Sequence, residues 1–260
     1  MCITEPDAGS DVAGITTRAE PDGDTWLLNG RKVFITGAYE ATMVLVVARS
    51  GKGAVGRHGL SVFLVPRDAA GFEVRKLDKL GTRGISACEL TFDDVVLPLD
   101  AVLGGPESTG RGWTQVMATF DLERIIMSVQ ALGIARAAFE KAAGYARQRR
   151  QFGRPISRFQ AIGHMIADMA TDVEASRAFL YSVAERFISG LPCTKEAAML
   201  KVFVTERSKE VCLRGMQILG GYGYMMEYDM QRHLRDSLLG PIGAGTSQIQ
   251  RNIIGRELGL

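Results

Sequence analysis

A carboxylate, a knot of arginines and two glycine-rich loops are the parts of this sequence that could do chemistry. Glu123 falls between Phe120 and Met127, in a three-to-four spacing that marks one face of a helix. A carboxylate on a packed face loses hydration, its pKa rises, and it becomes competent as a general base near neutral pH. A carboxylate paired inside a helix seam has the same signature, so both readings stand at this level. Arg147, Arg149, Arg150, Arg154 and Arg158 lie within twelve residues. They suit a pyrophosphate clamp, because the planar guanidinium fork matches phosphate oxygens. They equally suit a solvated helix end whose cations complement the macrodipole. With 31 basic against 29 acidic residues the net charge is +2, which gives nucleic acid little support as a partner.

Gly220-Gly221-Tyr222-Gly223 follows a helical stretch and lacks the Gly-x-Gly-x-x-Gly spacing, so the dinucleotide fingerprint fails. It reads as a helix C-terminus with glycine in a left-handed conformation, or as a loop that lets a ligand approach closely. Gly243-Ala244-Gly245-Thr246-Ser247-Gln248 precedes the last helix. Ser247 with Gln250 fits a capping box, and amides flanked by glycine suit an anion or a polar ring edge. Cys2, Cys88, Cys193 and Cys212 form no CxxC pair, and His58, His164 and His233 have no ligand spacing. No metal is expected, and no disulfide framework.

Two textures must position these groups. Residues 1 to about 105 read as short strands, with Thr25–Leu28, the turn Asn29-Gly30 and Arg31–Thr36 as a hairpin. Met43–Ala48, Leu60–Val65, Phe72–Leu77, Glu89–Phe92 and Val95–Leu97 continue the series. Strands at such intervals predict a small antiparallel barrel or sandwich. From Trp113 the texture is helical. Trp113, Val116, Phe120, Met127 and Ile134 mark one helix, Ile162 to Val183 a second and Thr194 to Met216 a third. The last segment, rich in glycine, holds short helices. The fold class expected is α+β and multidomain: a β domain over 1–105, then a helical, four-helix bundle over 106–260. The apolar fraction of 46% excludes a disordered chain. No apolar run reaches the ~18 residues of a membrane span, and the N-terminus has no signal-peptide pattern.

Five motifs in order then carry a resemblance: Thr4-Glu5-Pro6-Asp7-Ala8-Gly9-Ser10-Asp11, Phe34-Ile35-Thr36, Arg149-Arg150-Gln151-Phe152-Gly153, Gln217-Ile218-Leu219-Gly220-Gly221 and Gly245-Thr246-Ser247-Gln248-Ile249-Gln250. Together they resemble the acyl-CoA dehydrogenase family over the whole chain. The resemblance implies an FAD-dependent CH–CH oxidoreductase of fatty-acid or amino-acid catabolism, acting on an acyl-CoA thioester. It implies loss of the α-proton to a base and of a hydride from Cβ to flavin N5.

By the same resemblance Ile3, Thr4, Gly9 and Ser10 contact flavin, as do Phe34 and Thr36, where many members carry Trp in place of Phe34. Arg149, Gln151 and Phe152, with Gln217, Gly220 and Gly221, contact the FAD of a neighbouring subunit; Thr246 and Gln248 form the last FAD segment. Ser10, Asp121, Arg124, Ala244, Gly245 and Arg256 lie near acyl-CoA. Much of the family has its catalytic Glu where this chain has Ala244. The isovaleryl-CoA and long-chain types instead place it at the position of Glu123, in a motif like Phe120-Asp121-Leu122-Glu123-Arg124. The Ala244 amide is then one donor to the thioester oxygen.

The partners implied are electron-transfer flavoprotein as acceptor and further copies of the chain, as dimer or tetramer, in bacterial cytoplasm or the mitochondrial matrix. An acyl-CoA oxidase, a flavin-dependent enoyl-CoA reductase or a truncated non-catalytic relative shares the motifs. The family's N-terminal helical domain has no counterpart before Cys2, so the chain reads as two domains of three. These 260 residues alone are expected to bind FAD weakly and turn over poorly.

Overall fold

The structure is a computed structural model that describes residues 1–50 and 56–260; the side chain of His58 lies outside the described residues. The chain divides into two compact units, Met1–Thr119 and Phe120–Leu260.

In the first unit, alternating apolar residues build strands β1 (Arg18–Asp22), β2 (Thr25–Thr36), β3 (Met43–Ser50), β4 (Leu60–Pro66), β5 (Phe72–Lys76) and β6 (Ala87–Pro98). They form one sheet in the order β4-β3-β1-β2-β6-β5. The pairings are antiparallel except β1 with β3, which is parallel. The expected antiparallel domain is therefore present as an open, mixed sheet, because the outer strands β4 and β5 do not pair with each other. Its core holds Trp26 edge-on to Phe63, with ring centroids 5.4 Å apart, and Phe72 stacked on Phe92 at 4.8 Å. Buried aromatic pairs of this geometry add to simple area burial.

The Asn29-Gly30 hairpin is not formed. Residues 25–36 are one strand, and the true turn lies earlier, where Asp22 pairs with Thr25 across Gly23-Asp24. Asn29-Gly30 is instead a bulge against β6, where the register shifts between Leu28 and Gly30. The Asn29 side chain donates to Asp94 Oδ1 and accepts from the Asp94 amide, both at 2.9 Å. These bonds turn the turn-former into a strand-to-strand clip. Glu89–Phe92 and Val95–Leu97 likewise fuse into β6. Gly30 has φ 144°, and a Cβ there would meet Thr17 Cα at 2.7 Å. Gly30→Ala is expected to destabilise the unit by about 3 kcal/mol, since backbone must move as well as adopt strained torsions. A urea midpoint equal to that of the wild type would sink this expectation.

The second unit is built on α1 (Gly112–Gln148), whose first turns belong to the β unit, α2 (Gln160–Ile188) and α3 (Thr194–Leu219). Between α1 and α2 lies a small ribbon of β7 (Arg150–Gln151) and β8 (Arg154–Pro155). After α3 come α4 (Gly221–Tyr224), α5 (Met230–Ser237) and α6 (Ser247–Glu257); α5 and α6 pack on α3. Of the series Trp113, Val116, Phe120, Met127 and Ile134 read from the sequence, Val116 is buried and the others are half-buried, and the fully buried seam of α1 is mostly alanine. Ala135, Ala138, Ala142 and Ala146 are set against Met169 and Val173 of α2 and Val211, Cys212 and Ile218 of α3, while Ile125 and Ala131 pack with Leu180 and Val183 of α2 and Leu200 of α3. Alanine brings helix axes close, so the larger residues of α1 are left at the flanks; Leu122, Ile126 and Val129 are exposed. Among the described residues no helix is long and apolar enough to cross a membrane. No cluster of three His, Cys, Asp or Glu among them could hold a metal ion.

Candidate functional site

Non-glycine residues at positive φ are uncommon and are worth tracing to a cause. Among the described residues there are five: Phe34, Thr82, Asp94, Phe152 and Ala244. Asp94 belongs to the Asn29 bulge. Phe34, Phe152 and Ala244 each fall in a motif singled out from the sequence, with φ of 60°, 51° and 51°. Each is also exposed, Phe34 to 70% and Phe152 to 92%. Strained backbone that holds an aromatic ring in water stabilises nothing in the fold, and such strain concentrates where ligands are held.

In the β unit, two predicted segments meet. Lys32 of β2 donates through Nζ to Ile3 O at 2.8 Å and to Glu5 Oε1 at 2.9 Å. The Val33 amide donates to Thr4 O at 2.9 Å. Glu5 also accepts from the Thr16 amide, the Thr16 hydroxyl and the Thr17 amide. Burial pushes the Glu5 carboxyl up, but the Lys32 charge and these bonds outweigh it and hold the pKa at about 2. A depressed carboxyl stabilises the fold above its ordinary value and loses that contribution as pH falls toward 2. Gly9 and Ser10 are exposed in the turn that follows Ala8, and Thr36 is exposed at the end of β2.

In the helical unit, Arg149 and Gln151 come together with Gly220 and Gly221. They line a cleft of about 600 Å³ with Tyr145, Ile156, Tyr222 and Met225. The Arg149 guanidinium lies 5.5 Å from the Tyr222 ring centre, and Tyr145 is 6.3 Å from Tyr222. Gly220 ends α3 with φ 58° and donates its amide to Met216 O and Gln217 O; Gln217 is exposed on the same turn. Phe152, at the tip of the β7–β8 ribbon, touches Phe159 edge-on at 6.0 Å.

The loop before α6 differs from the expected capping box. The cap is Thr246, whose hydroxyl accepts from the Ile249 amide at 3.2 Å. Ser247 instead donates to Glu206 Oε1, and the Gln250 amide group donates to Ala244 O and Gly245 O at 3.0 and 3.1 Å. Lys201 of α3, fully buried, donates to Gly245 O at 2.7 Å. With these carbonyls turned inward, the amides of Gly245 and Thr246 face the opposite way, as trans peptides require. Neither these amides nor that of Ala244 has a hydrogen-bond partner among the described residues. Gln248 is exposed on the first turn of α6.

Glu123 is half-buried on α1, not the fully desolvated carboxylate that its spacing predicted, because the buried seam lies on a different face. Its neighbour Asp121 is committed on both oxygens, to Arg124 Nη1 at 2.6 Å and to the Thr194 hydroxyl at 2.7 Å. Arg124 is buried, with Nε unpartnered, and burial lowers its pKa against the opposing pull of Asp121. Arg256, near the end of α6, is exposed and pairs with Glu257.

The acyl-CoA dehydrogenase middle-domain family matches residues 1–95, and the acyl-CoA dehydrogenase C-terminal-domain family matches residues 110–259. The chain belongs to the acyl-CoA dehydrogenase family. A probable acyl-CoA dehydrogenase of Bacillus subtilis is 42% identical over 98% of this chain and 67% of its own length. The mitochondrial isovaleryl-CoA dehydrogenase of rice is 41% identical over 99% of this chain and 62% of its own length. The structure of butyryl-CoA dehydrogenase from Megasphaera elsdenii superposes with a TM-score of 0.95 at 38% identity, covering 100% of this chain and 67% of that one. The chain thus spans 62–67% of the length of these relatives.

Members of the acyl-CoA dehydrogenase family are flavoproteins, and the residues present fit a flavin nucleotide. In the β unit the exposed Phe34 face offers a stacking surface; in the helical unit, taken by itself, the cleft with Tyr145, Tyr222 and Arg149 offers a stacking surface and a cation, and the 244–246 loop offers amide donors unpartnered among the described residues. Sequence reasoning assigned no role to Lys32, Lys201, Tyr145 or Tyr222. Lys32 carried a signal, since it continues the inward series Trp26, Leu28 in β2, and Lys201 stands beside Leu200 in the buried series Ala197, Val204, Val211 of α3.

Proposed function

We propose that the chain carries the FAD-dependent α,β-dehydrogenation of an acyl-CoA thioester, with Glu123 as the base. The observation that supports this reading is the coincidence of strain, exposure and motif at Phe34, Phe152 and Ala244. FAD, when bound, supplies the hydride acceptor. Glu123 takes the proton α to the carbonyl. The Ala244 amide holds the thioester oxygen as negative charge develops there, a role indifferent to the side chain. Arg124 and Asp121 fix the turn of α1 that carries Glu123, and with Ser10, Gly245 and Arg256 they border the acyl-CoA.

Residues 1–105 take the flavin and acyl-CoA side through Ile3, Thr4, Gly9, Ser10, Phe34 and Thr36. Residues 106–260 supply the base, subunit contacts and the FAD contacts Arg149, Gln151, Phe152, Gln217, Gly220, Gly221, Thr246 and Gln248. The Arg149 and Gln217 segments serve the FAD of another copy in a dimer or tetramer. Electron-transfer flavoprotein is the acceptor. The compartment is bacterial cytoplasm, or the mitochondrial matrix in a eukaryote.

The test is anaerobic bleaching of the FAD-reconstituted protein by straight and branched acyl-CoAs. Bleaching followed by fast reoxidation with electron-transfer flavoprotein, and slow reoxidation with oxygen, is expected. With FAD held in saturating excess to offset weak binding, a protein that takes up no flavin, or whose flavin is bleached even slowly by none of the thioesters, refutes the reading.

A further inference from the structure

Phe34 stands on a strand in a conformation that strands do not use, with its ring in solvent. Left to itself a bulky residue relaxes out of positive φ. The neighbouring bonds prevent this. The register against β6 shifts between Lys32 and Ile35, which frees the Val33 amide from the ladder, and that amide is taken by Thr4 O. One residue before it, the Lys32 ammonium anchors Ile3 O and Glu5, while Glu5 gathers Thr16 and Thr17. Two separate pieces of chain, residues 3–5 and 16–17, are tied to the root of the Phe34 bulge by one buried ion pair, with Lys32 at 0% and Glu5 at 5% exposure. The same bond turns Ile3 O inward, so the Thr4 amide faces the opposite way, without a partner among the described residues. A buried ion pair is seldom a net gain over apolar packing, and its attested use is to enforce one geometry among several.

We propose that the Lys32–Glu5 pair is a positioning device: it holds Phe34 in its outward, left-handed pose, and the Thr4 amide with it, to receive the planar ring of the flavin. Neither residue touches the reacting atoms. The inference rests on the flavin reading above, but its mechanical half, the hold on Phe34, is measurable without flavin.

The experiment compares the wild type, the neutral pair Glu5→Gln/Lys32→Met, Phe34→Gly and the triple variant. Urea midpoints are taken without flavin, and FAD affinity is taken by titration of flavin fluorescence. Phe34→Gly is expected to raise the midpoint, because glycine removes the strain. The neutral pair is expected to lower the midpoint less in the Phe34→Gly background than in the wild type, the signature of coupling. FAD affinity is expected to fall at least about tenfold in the neutral pair. If the neutral pair does not fold, Glu5→Asp, which keeps both charges and withdraws the carboxylate by one methylene, takes its place in the same comparison. Equal midpoint losses in the two backgrounds, or FAD affinity unchanged in a folded variant, overturn the proposal. A wild type that binds no FAD overturns the flavin reading alone, and the midpoint coupling still decides whether the pair holds Phe34.

Discussion

Glu123→Gln is expected to slow acyl-CoA-dependent bleaching of the flavin by about 10²–10⁴-fold, the range for removal of a positioned base. The amide is isosteric, and Glu123 is half-buried with no hydrogen bond or ion pair of its own among the described residues, so the unfolding midpoint should move little. No neighbour can substitute. Asp121 has both oxygens engaged, and Ala244, where much of the family carries its base, has no acid to offer. The converse variant, Ala244→Glu with Glu123→Gly, is expected to recover part of the rate. Glutamate meets the same backbone strain there as alanine, at φ 51°, and the position is already exposed. Stopped-flow bleaching at an undiminished rate in Glu123→Gln would falsify the assignment of the base.

Lys201→Met is expected to make the protein more stable at pH 7 by about 2 kcal/mol while it slows turnover. Burial pulls the Lys201 pKa from 10.5 down to about 8, with Glu206 pulling it up and Arg124 pushing it further down. At roughly 1.4 kcal/mol per unit, keeping this ammonium charged below pH 8 costs the folded state about 3 kcal/mol. Methionine removes that cost and forfeits one hydrogen bond, worth about 1 kcal/mol, to a carbonyl that Gln250 still serves.

The sign of the pH dependence follows. Between pH 8 and 10.5 the unfolded chain keeps a proton that the folded chain has released, so wild-type stability rises through that window. The advantage of the variant is therefore largest below pH 8 and gone above 10.5. The lost anchor leaves the strained 244–246 loop freer, and a misplaced donor amide is expected to cost about 10–10²-fold in rate. Urea midpoints at pH 7 and pH 10 check the first part, and bleaching rates the second. A variant less stable at pH 7, or a gap that ignores pH, contradicts it.

Lys201 and Lys32 illustrate a common reason why part of the site was not legible. Each was visible as a charge inside an apolar series, but its use depends on partners far away in sequence. Lys201 meets Gly245 across 44 positions, and Lys32 meets Glu5 across 27. Periodicity assigns a residue to a face and says nothing about what stands opposite. The Asn29-Gly30 hairpin turn did not form for a related reason. Its local preference for a turn was overridden by Asp94, a partner 65 residues on, and by the close approach of Thr17 to Gly30.

The sequence by itself determined the two textures, the long helices, the family and the set of motifs, because these rest on local spacing and on order along the chain. It also pointed to Glu123, through both its helical position and its motif. Only the tertiary structure decided which of the motif residues are held in strain. It decided that the sheet is open, that alanines line most of the buried seam of α1, and that Glu123 lies half-buried beside it. Those properties come from packing between segments distant in sequence, where a shift of one residue at a bulge changes which side chain faces water, and no local pattern records that choice.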